Sequence, residues 1–294
     1  MQPGLRRLAT GAVQLTSNQP GERALREKLA VLCTHPQQAL LVEPGFDARP
    51  ALRALAAHAA AEHPKAWAGD GTSTWHAKQL GWALHGDQLR GDGPAEIGAC
   101  LHALPAEWRP AALLALAFAE DFAVIDGATS RIPWLAVCLP SRWAPEEKVG
   151  RPIAQVHAPV ADNQTLLAAS EHLARLVTGA DRWERFVWTI SRSAQLSQHP
   201  QHADAAPWPE HADADALAAR AFFRTERQTF IPLPAHGQAI FTIHVESRPL
   251  AEAIAAPAHA RQLHDALASM SPAVLAYRGL TDAHERLLAW LAAR

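Results

Sequence analysis

Cysteine is scarce in this 294-residue chain, and the three present, Cys33, Cys100 and Cys138, are far apart. No CxxC pair occurs, so neither an iron–sulfur ligand set nor a zinc ribbon is indicated. Buried thiols in a reducing cytoplasm are the expected state. Lysine is also scarce for a chain with 27 basic residues: only Lys28, Lys65, Lys78 and Lys148. No charge of one sign dominates, because the formal net charge is -2. That balance offers no electrostatic footprint for nucleic acid or an anionic membrane. The longest apolar run, residues 111–119, is too short to span a bilayer. The opening MQPGLRRLATGAV lacks the apolar core of a signal peptide, so a cytoplasmic setting is expected. Several site signatures are missing as well. The absence of GxGxxG and of a Walker A loop removes support for dinucleotide or triphosphate binding. There is no HExxH and no GxSxG, so a zincin or a serine-elbow hydrolase is not indicated.

What remains is ample apolar material, 49% of the residues, in two regimes. The first third has helical spacing. Residues 22–33 carry Leu25, Leu29 and Leu32, and residues 51–62 follow Pro50, which suits a first helical turn. Residues 72–84, 95–104 and 106–119 read as further helices. From Asp121 the period shortens. FAVID (122–126) and IPWLAVCLP (132–140) flank an Asp126-Gly127 turn signal, and 185–191 alternates as a strand. Residues 222–230 and 238–246 form a last antiparallel pair, and helical patterns close the chain. A helix is expected to start at Asp162 or Asn163 and run to about Val177. Residues 195–213, rich in His, Pro and Asp, read as a long surface loop. The sum is an α+β chain, with a helical layer over 1–118 packed on an antiparallel-sheet core over 119–294 as one compact unit.

Three segments carry chemistry. FFRTERQTF places Arg224, Glu226, Arg227 and Gln228 within five residues at the start of the last strand pair. Two arginines bracketing a glutamate can hold an anion and keep a carboxylate in place, or form a self-satisfied ion cluster. Arg142, Lys148 and Arg151 surround Trp143 and Gly150, a set that suits an anionic ligand against an indole wall, or a solvated basic loop. Among sixteen histidines, pairs such as His199/His202 and His259/His264 do not have ligand spacing. His157 stands apart, because Pro159 biases Ala158 toward extended geometry and stiffens the segment. It reads as an axial ligand for a planar metal cofactor, or as a buried histidine bonded to backbone.

These segments, in order, carry a resemblance. ED-FxV (120–124), LPSRW with EEKVGRPIAQVHAPV (139–160), RFVW (185–188), RTERQTFIPLP (224–234) and AIFTI (239–243) resemble the α-subunits of haem-dependent oxidative N-demethylases. The resemblance covers roughly residues 119–250. It implies a PAS-like fold holding haem b. It also implies oxidative removal of a methyl group from a small secondary amine such as dimethylamine, with O2 consumed and formaldehyde released. Flavin and iron–sulfur partner subunits would supply the electrons. Carried over by position, His157 becomes the iron ligand, and Lys148, Arg227, Gln228 and Trp143 become cofactor-binding residues. Glu226 and Arg224 become catalytic, with Glu226 binding the protonated amine. The chain departs from the family pattern at Val187, where asparagine is common, and at His244-Val245-Glu246, where a tyrosine follows. A haem sensor or carrier without turnover is the alternative, and a scaffold that has lost its haem site is the third reading.

Overall fold

A computed structural model describes residues 4–158, 161, 164–203 and 206–294. Its centre is a seven-stranded antiparallel sheet in the order β1-β9-β10-β11-β7-β8-β2. The strands are β1 (Arg6–Arg7), β2 (Leu40–Val42), β7 (Asp121–Asp126), β8 (Arg131–Ala136), β9 (Trp183–Ser191), β10 (Phe222–Leu233) and β11 (Gln238–Pro249). The turn from β7 to β8 is held by Asp126, whose Oδ1 accepts from the Thr129 N–H and hydroxyl at 2.8 Å each. The β10–β11 hairpin turns at Gly237, whose left-handed φ of 60° a side chain would resist.

Alternation sorts the strands into two faces. Ile231, Ile240, Val124 and Trp134 lie in register on one face, and Phe230, Phe241, Ala123 and Leu135 on the other. The first face is covered by helices α1 (Arg23–Thr34), α3 (Arg49–Glu62), α4 (Ala95–Ala103) and α5 (Arg109–Ala117); α2 (Pro36–Ala39) leads into β2. Helix α5 is apolar all round and wholly inside from Ala111 to Ala117. Each leucine so buried contributes about 2 kcal/mol. The second face carries the Phe230–Phe241 stack, with centroids 5.0 Å apart. It is covered by α6 (Ile153–His157) and α7 (Gln164–Val177), which contributes Ala174 and Val177. Helices α8 (Ala214–Ala218), α9 (Leu250–Ala253), α10 (Pro257–Ala268), α11 (Pro272–Arg278) and α12 (His284–Ala292) build a third apolar cluster against Ile190 and Phe223. The α+β class is therefore as expected. One core cluster runs from Leu15 to Val245, across residue 118. Among the described residues no helix is long and apolar enough to cross a membrane.

Three expectations need correction. Residues 72–84 are not a helix. They belong to a second, four-stranded sheet of β3 (Trp67–Gly69), β4 (Thr74–Ala77), β5 (Trp82–His85) and β6 (Gln88–Gly91). Trp75 faces Leu84 across it, and both are buried. Asp70 sets the turn into β4 by accepting from the N–H groups of Thr72, Ser73 and Thr74 at 2.8–2.9 Å. Gly81, at φ 68°, then breaks any helical path, and a Cβ there would meet the Gly93 Cα at 2.8 Å. Second, the run 195–213 is irregular but not superficial: Leu196, Gln198, His199 and Trp208 are buried. Its backbone is satisfied from inside, since Gln198 N–H donates to Pro140 O and Arg142 N–H to Gln198 O. Third, Cys33 is exposed, while Cys100 and Cys138 are buried as expected. Helix α7, from Gln164 to Val177, ends where expected, and its expected caps, Asp162 and Asn163, lie outside the described residues.

The N-terminal layer is pinned by polar contacts too. Lys28, fully buried on α1, lies 3.1 Å from Asp121 Oδ1 and donates to the carbonyls of Phe118 and Glu120. Next to it, His244 Nδ1 meets the buried Glu120 carboxylate at 2.8 Å. Burial pulls the His244 pKa down, but the Glu120 hydrogen bond and charge outweigh it, so the net shift is upward. A raised histidine pKa adds stability below the unfolded value, near 6.5, and loses it as pH rises through the folded value. His244→Gln should therefore cost about 1–2 kcal/mol at pH 5.5 and progressively less above pH 8. Urea midpoints at both pH values check this, and an equal cost at both would refute the charged pair.

Candidate functional site

The period of two splits the dense RTERQT run. In the β9–β10–β11 register, Arg224, Glu226 and Gln228 share a face with Arg185, Val187, Ile243 and Val245. Arg227 points to the opposite face. There its Nε meets Glu184 Oε2 at 3.1 Å, its Nη1 donates to Val13 O at 2.9 Å, and Glu184 also holds Arg6. The expectation that both arginines bracket one ligand alongside Glu226 is thus corrected by strand parity: Arg224 and Arg227 are three residues apart.

On the Glu226 face, side chains form one hydrogen-bonded chain. Arg224 Nε donates to Ser141 Oγ at 2.8 Å, and Ser141 donates to Glu226 Oε1. Gln228 Nε2 donates to Glu226 Oε2 at 2.6 Å, and Arg185 Nε donates to Gln228 Oε1 at 2.5 Å. Glu226 is therefore the hub, with a neutral donor on each oxygen and an arginine beyond each donor. Arg224 is 1% exposed. Its terminal nitrogens donate to Gln195 O, Leu196 O and Leu139 O at 3.0, 2.8 and 3.3 Å. Burial lowers its pKa to about 10, with Glu226 opposing that fall, so it stays cationic at neutral pH. One guanidinium thus ties the 139–141 and 195–196 segments to β10.

Ser141 reaches Glu226 because the chain bends just after it. Arg142 adopts a left-handed φ of 63°, which costs a non-glycine residue about 1–3 kcal/mol and is tolerated where the surroundings enforce it. The enforcement is a bridge between Ser141 and Gln198.

His157 closes α6, a single helical turn, and Ala158 continues in helical geometry. The expected extended segment is corrected: Val156 N–H donates to Pro152 O and Ala158 N–H to Gln155 O, and these bonds outweigh the proline bias. Pro159 itself lies outside the described residues. The His157 Nδ1–H donates to Ile153 O at 2.8 Å, which fixes the tautomer and puts the lone pair on Nε2. Burial lowers the His157 pKa to about 4, and the charges of Arg185 and Lys148 add to the fall. The imidazole is neutral at physiological pH. Lys148, half-buried, donates to Val156 O at 3.3 Å, and burial lowers its pKa. Trp143 is half-buried and packs against two apolar clusters.

Arg185 connects the two halves, because its charge acts on both His157 and Glu226. Sequence reasoning missed Arg185 and Ser141. The alternation of 185–191 could place Arg185 on a face, but only the register opposite Gln228 shows which one. A separate cleft of about 450 Å³ lies beyond Arg224, bordered by Gln195, His35, His199 and His202. His199 is paired there with Glu146 at 3.1 Å. Among the described residues no group of three His, Cys, Asp or Glu side chains could hold a metal ion.

The residues around the Glu226 face would fit a metal-bearing ligand held through one imidazole. A neutral histidine whose Nδ1–H is fixed by a carbonyl is the form in which Nε2 ligates a metal. Lys148 and Arg185, neither ion-paired within 4.0 Å among the described residues, supply positive charge suited to acidic substituents. No curated protein matches the chain. Residues 21–288, nearly its whole length, match the family described as haem-dependent oxidative N-demethylase, alpha subunit-like. That span contains every residue of the Glu226 face and the His157 turn, and the chain belongs to this family.

Proposed function

We propose that the chain is the catalytic subunit of an oxidative N-demethylase acting on a small secondary amine of the dimethylamine type. The antiparallel sheet, with short helices on one face, serves as a PAS-like haem scaffold. His157 Nε2 is the iron ligand. Lys148 and Arg185 offset the propionates, and Gln228 and Trp143 border the group. Arg227, on the opposite face, has no part in it. The observation that carries this reading is the fixed, neutral His157 beside two cations on the sheet face that bears Glu226.

Haem b, when bound, supplies oxygen activation. The protein supplies the rest. Glu226 holds the ammonium form of the amine by charge and directs its N-methyl group inward. Ser141 and Gln228 keep the carboxylate in one orientation, and Arg224 fixes Ser141. In balance, one atom of O2 enters a methyl C–H bond, and the other leaves as water with two electrons and two protons. The resulting carbinolamine splits into formaldehyde and the demethylated amine. The electrons come from an external donor, consistent with the absence of a CxxC pair and with the alpha-subunit description of the family.

The test is haem-loaded protein with a chemical reductant, O2 and dimethylamine, assayed for formaldehyde. One formaldehyde per amine consumed is expected. No formaldehyde from a panel of methylamines, together with reversible gas binding, would replace this reading with a haem sensor or carrier.

A further inference from the structure

The cleft beyond Arg224 is edged by histidines that the Glu226 face does not use. His35 stands at the junction of α1 and α2, and its ring stacks on that of His202, with centroids 4.0 Å and planes 12° apart. The His199 ring lies 5.2 Å from His202, tilted by 31°. Hydrogen bonds set the protons on these rings. His202 Nε2–H donates to Gln38 Oε1 at 2.8 Å, and Gln38 Nε2 donates to Gln201 Oε1 at 2.7 Å. Gln201 N–H donates to His199 Nδ1 at 3.3 Å, which leaves the His199 Nε2–H to face both Glu146 oxygens at 3.1 Å. One proton on each of these two rings satisfies every one of these bonds.

A stack of this kind tolerates one positive charge, since a cation over a neutral ring is favourable, but two imidazolium rings 4.0 Å apart repel. The neighbouring carboxylates are already engaged. Glu146, on the Pro145–Glu147 turn, holds His199. Glu27, on α1, pairs with Arg23 at 3.0 Å and accepts from the N–H groups of Leu196 and Ser197 at 2.7 and 2.9 Å. Behind them the Cys138 thiol stays protonated, because burial raises its pKa. Desolvation, then the charges of His35 and His199, lower the His202 pKa, with Glu146 opposing. A lowered histidine pKa gives stability that is present above the unfolded value, near 6.5, and is lost as pH falls through the folded value. His202 is exposed and His35 half-buried, so protons reach the stack from solvent.

We infer that the stacked His35–His202 pair is a pH-sensitive latch, which holds the 195–203 segment on the α1–α2 junction when at most one ring is charged and releases it when both are. The released segment is the one that positions the Glu226 chain. Its Gln195 and Leu196 carbonyls accept from Arg224, its Gln198 carbonyl accepts from Arg142 N–H, and Gln198 N–H donates to Pro140 O. Acid therefore loosens the support of Arg224 and Ser141, and through Ser141 the orientation of Glu226. The latch stands whatever Glu226 binds, so it does not rest on the demethylase reading.

Amide hydrogen exchange of the full chain at pH 7.5 and pH 5.0, corrected for the chemical exchange rate, tests this directly. The amides of residues 196–203 should lose protection at pH 5.0 by at least about 10-fold, as two like charges about 4 Å apart near a surface imply. The β10–β11 amides should keep theirs. His35→Phe retains a flat ring for the stack but removes the second charge, so its 196–203 amides should be as protected at pH 5.0 as at pH 7.5. Equal protection of the parent segment at both pH values overturns the latch. So does a parent-like acid loss in His35→Phe, which would place the titration at Glu27 or Glu146. Loss of protection in β10–β11 by the same factor also overturns it, as global acid unfolding. If the unfolding midpoint of His35→Phe at pH 7.5 shows that it does not fold, His202→Gln, which keeps an amide donor for Gln38, takes its place with the same outcomes.

Discussion

Replacing Arg224 with methionine is expected to destabilise the protein by about 3–5 kcal/mol, since one side chain then leaves several buried acceptors without a donor. The carbonyls of Leu139 and Leu196 and the Ser141 hydroxyl accept from that guanidinium, and Gln195 O accepts from it and from Gln198 Nε2. Against a typical stability of about 5–15 kcal/mol, the variant would sit close to unfolding. Much of the loss is a cost of removal rather than the net worth of the interaction. The lowered Arg224 pKa shows that burying this cation is itself unfavourable. Arg224→Lys keeps the charge but cannot span both loops, so it should lose about half as much. Denaturant midpoints measure both variants. A methionine variant within 1 kcal/mol of the parent would mean that the two segments are held by something else. On the proposed reading Arg224 is a positioning residue, since at 1% exposure it reaches Glu226 only through Ser141.

Glu226→Gln is the second large expectation, and it falls on function rather than stability. Glutamine keeps the shape and can still accept from Ser141, but the charge facing the ammonium disappears. A hydrogen bond to a charged group is worth about 1.5–3 kcal/mol, which is roughly 10- to 100-fold in kcat/KM for the amine. The loss should sit mainly in KM, because on the proposed reading that charge holds the ammonium before reaction. The unfolding midpoint should move little. An unchanged KM with a fallen kcat would instead place Glu226 in proton transfer, and no effect on either would remove it from the site.

Much of this arrangement was legible in the sequence where one period decides. Helices α1 and α3 begin and end close to where leucine and alanine spacing puts them, and β9, β10 and β11 follow their alternation. The candidate residues Glu226 and Gln228 stood out by the density of charged and polar groups, and their roles, like those proposed for Lys148 and His157, came from motif position rather than from periodicity. Parity alone could have separated Arg227 from Glu226, because an odd spacing on a strand means opposite faces. Other features were hidden for physical reasons. The stretch around Trp75 and Leu80 contains helix-compatible residues, and only the glycine conformations and cross-strand pairing turn it into a sheet. Ser141 meets Glu226 across 85 positions of sequence, through a left-handed Arg142 that nothing in the residue type announces. Arg185 meets Gln228 across 43 positions, and only strand register brings them together. His157 was read as extended because a proline follows Ala158, yet the local hydrogen bonds of α6 prevail.

The central claim is that His157 holds the haem iron, and a haem titration of His157→Gly, with and without free imidazole, tests it most directly. The parent protein should bind one haem and show the Soret band of a histidine-ligated species. The glycine variant should lose that spectrum or bind at least about 100-fold more weakly, because no donor atom replaces the imidazole. Added imidazole should enter the vacated volume and restore the parent spectrum. A glycine variant with an unaltered Soret band and affinity, indifferent to imidazole, would contradict the assignment and move the iron ligand to another residue.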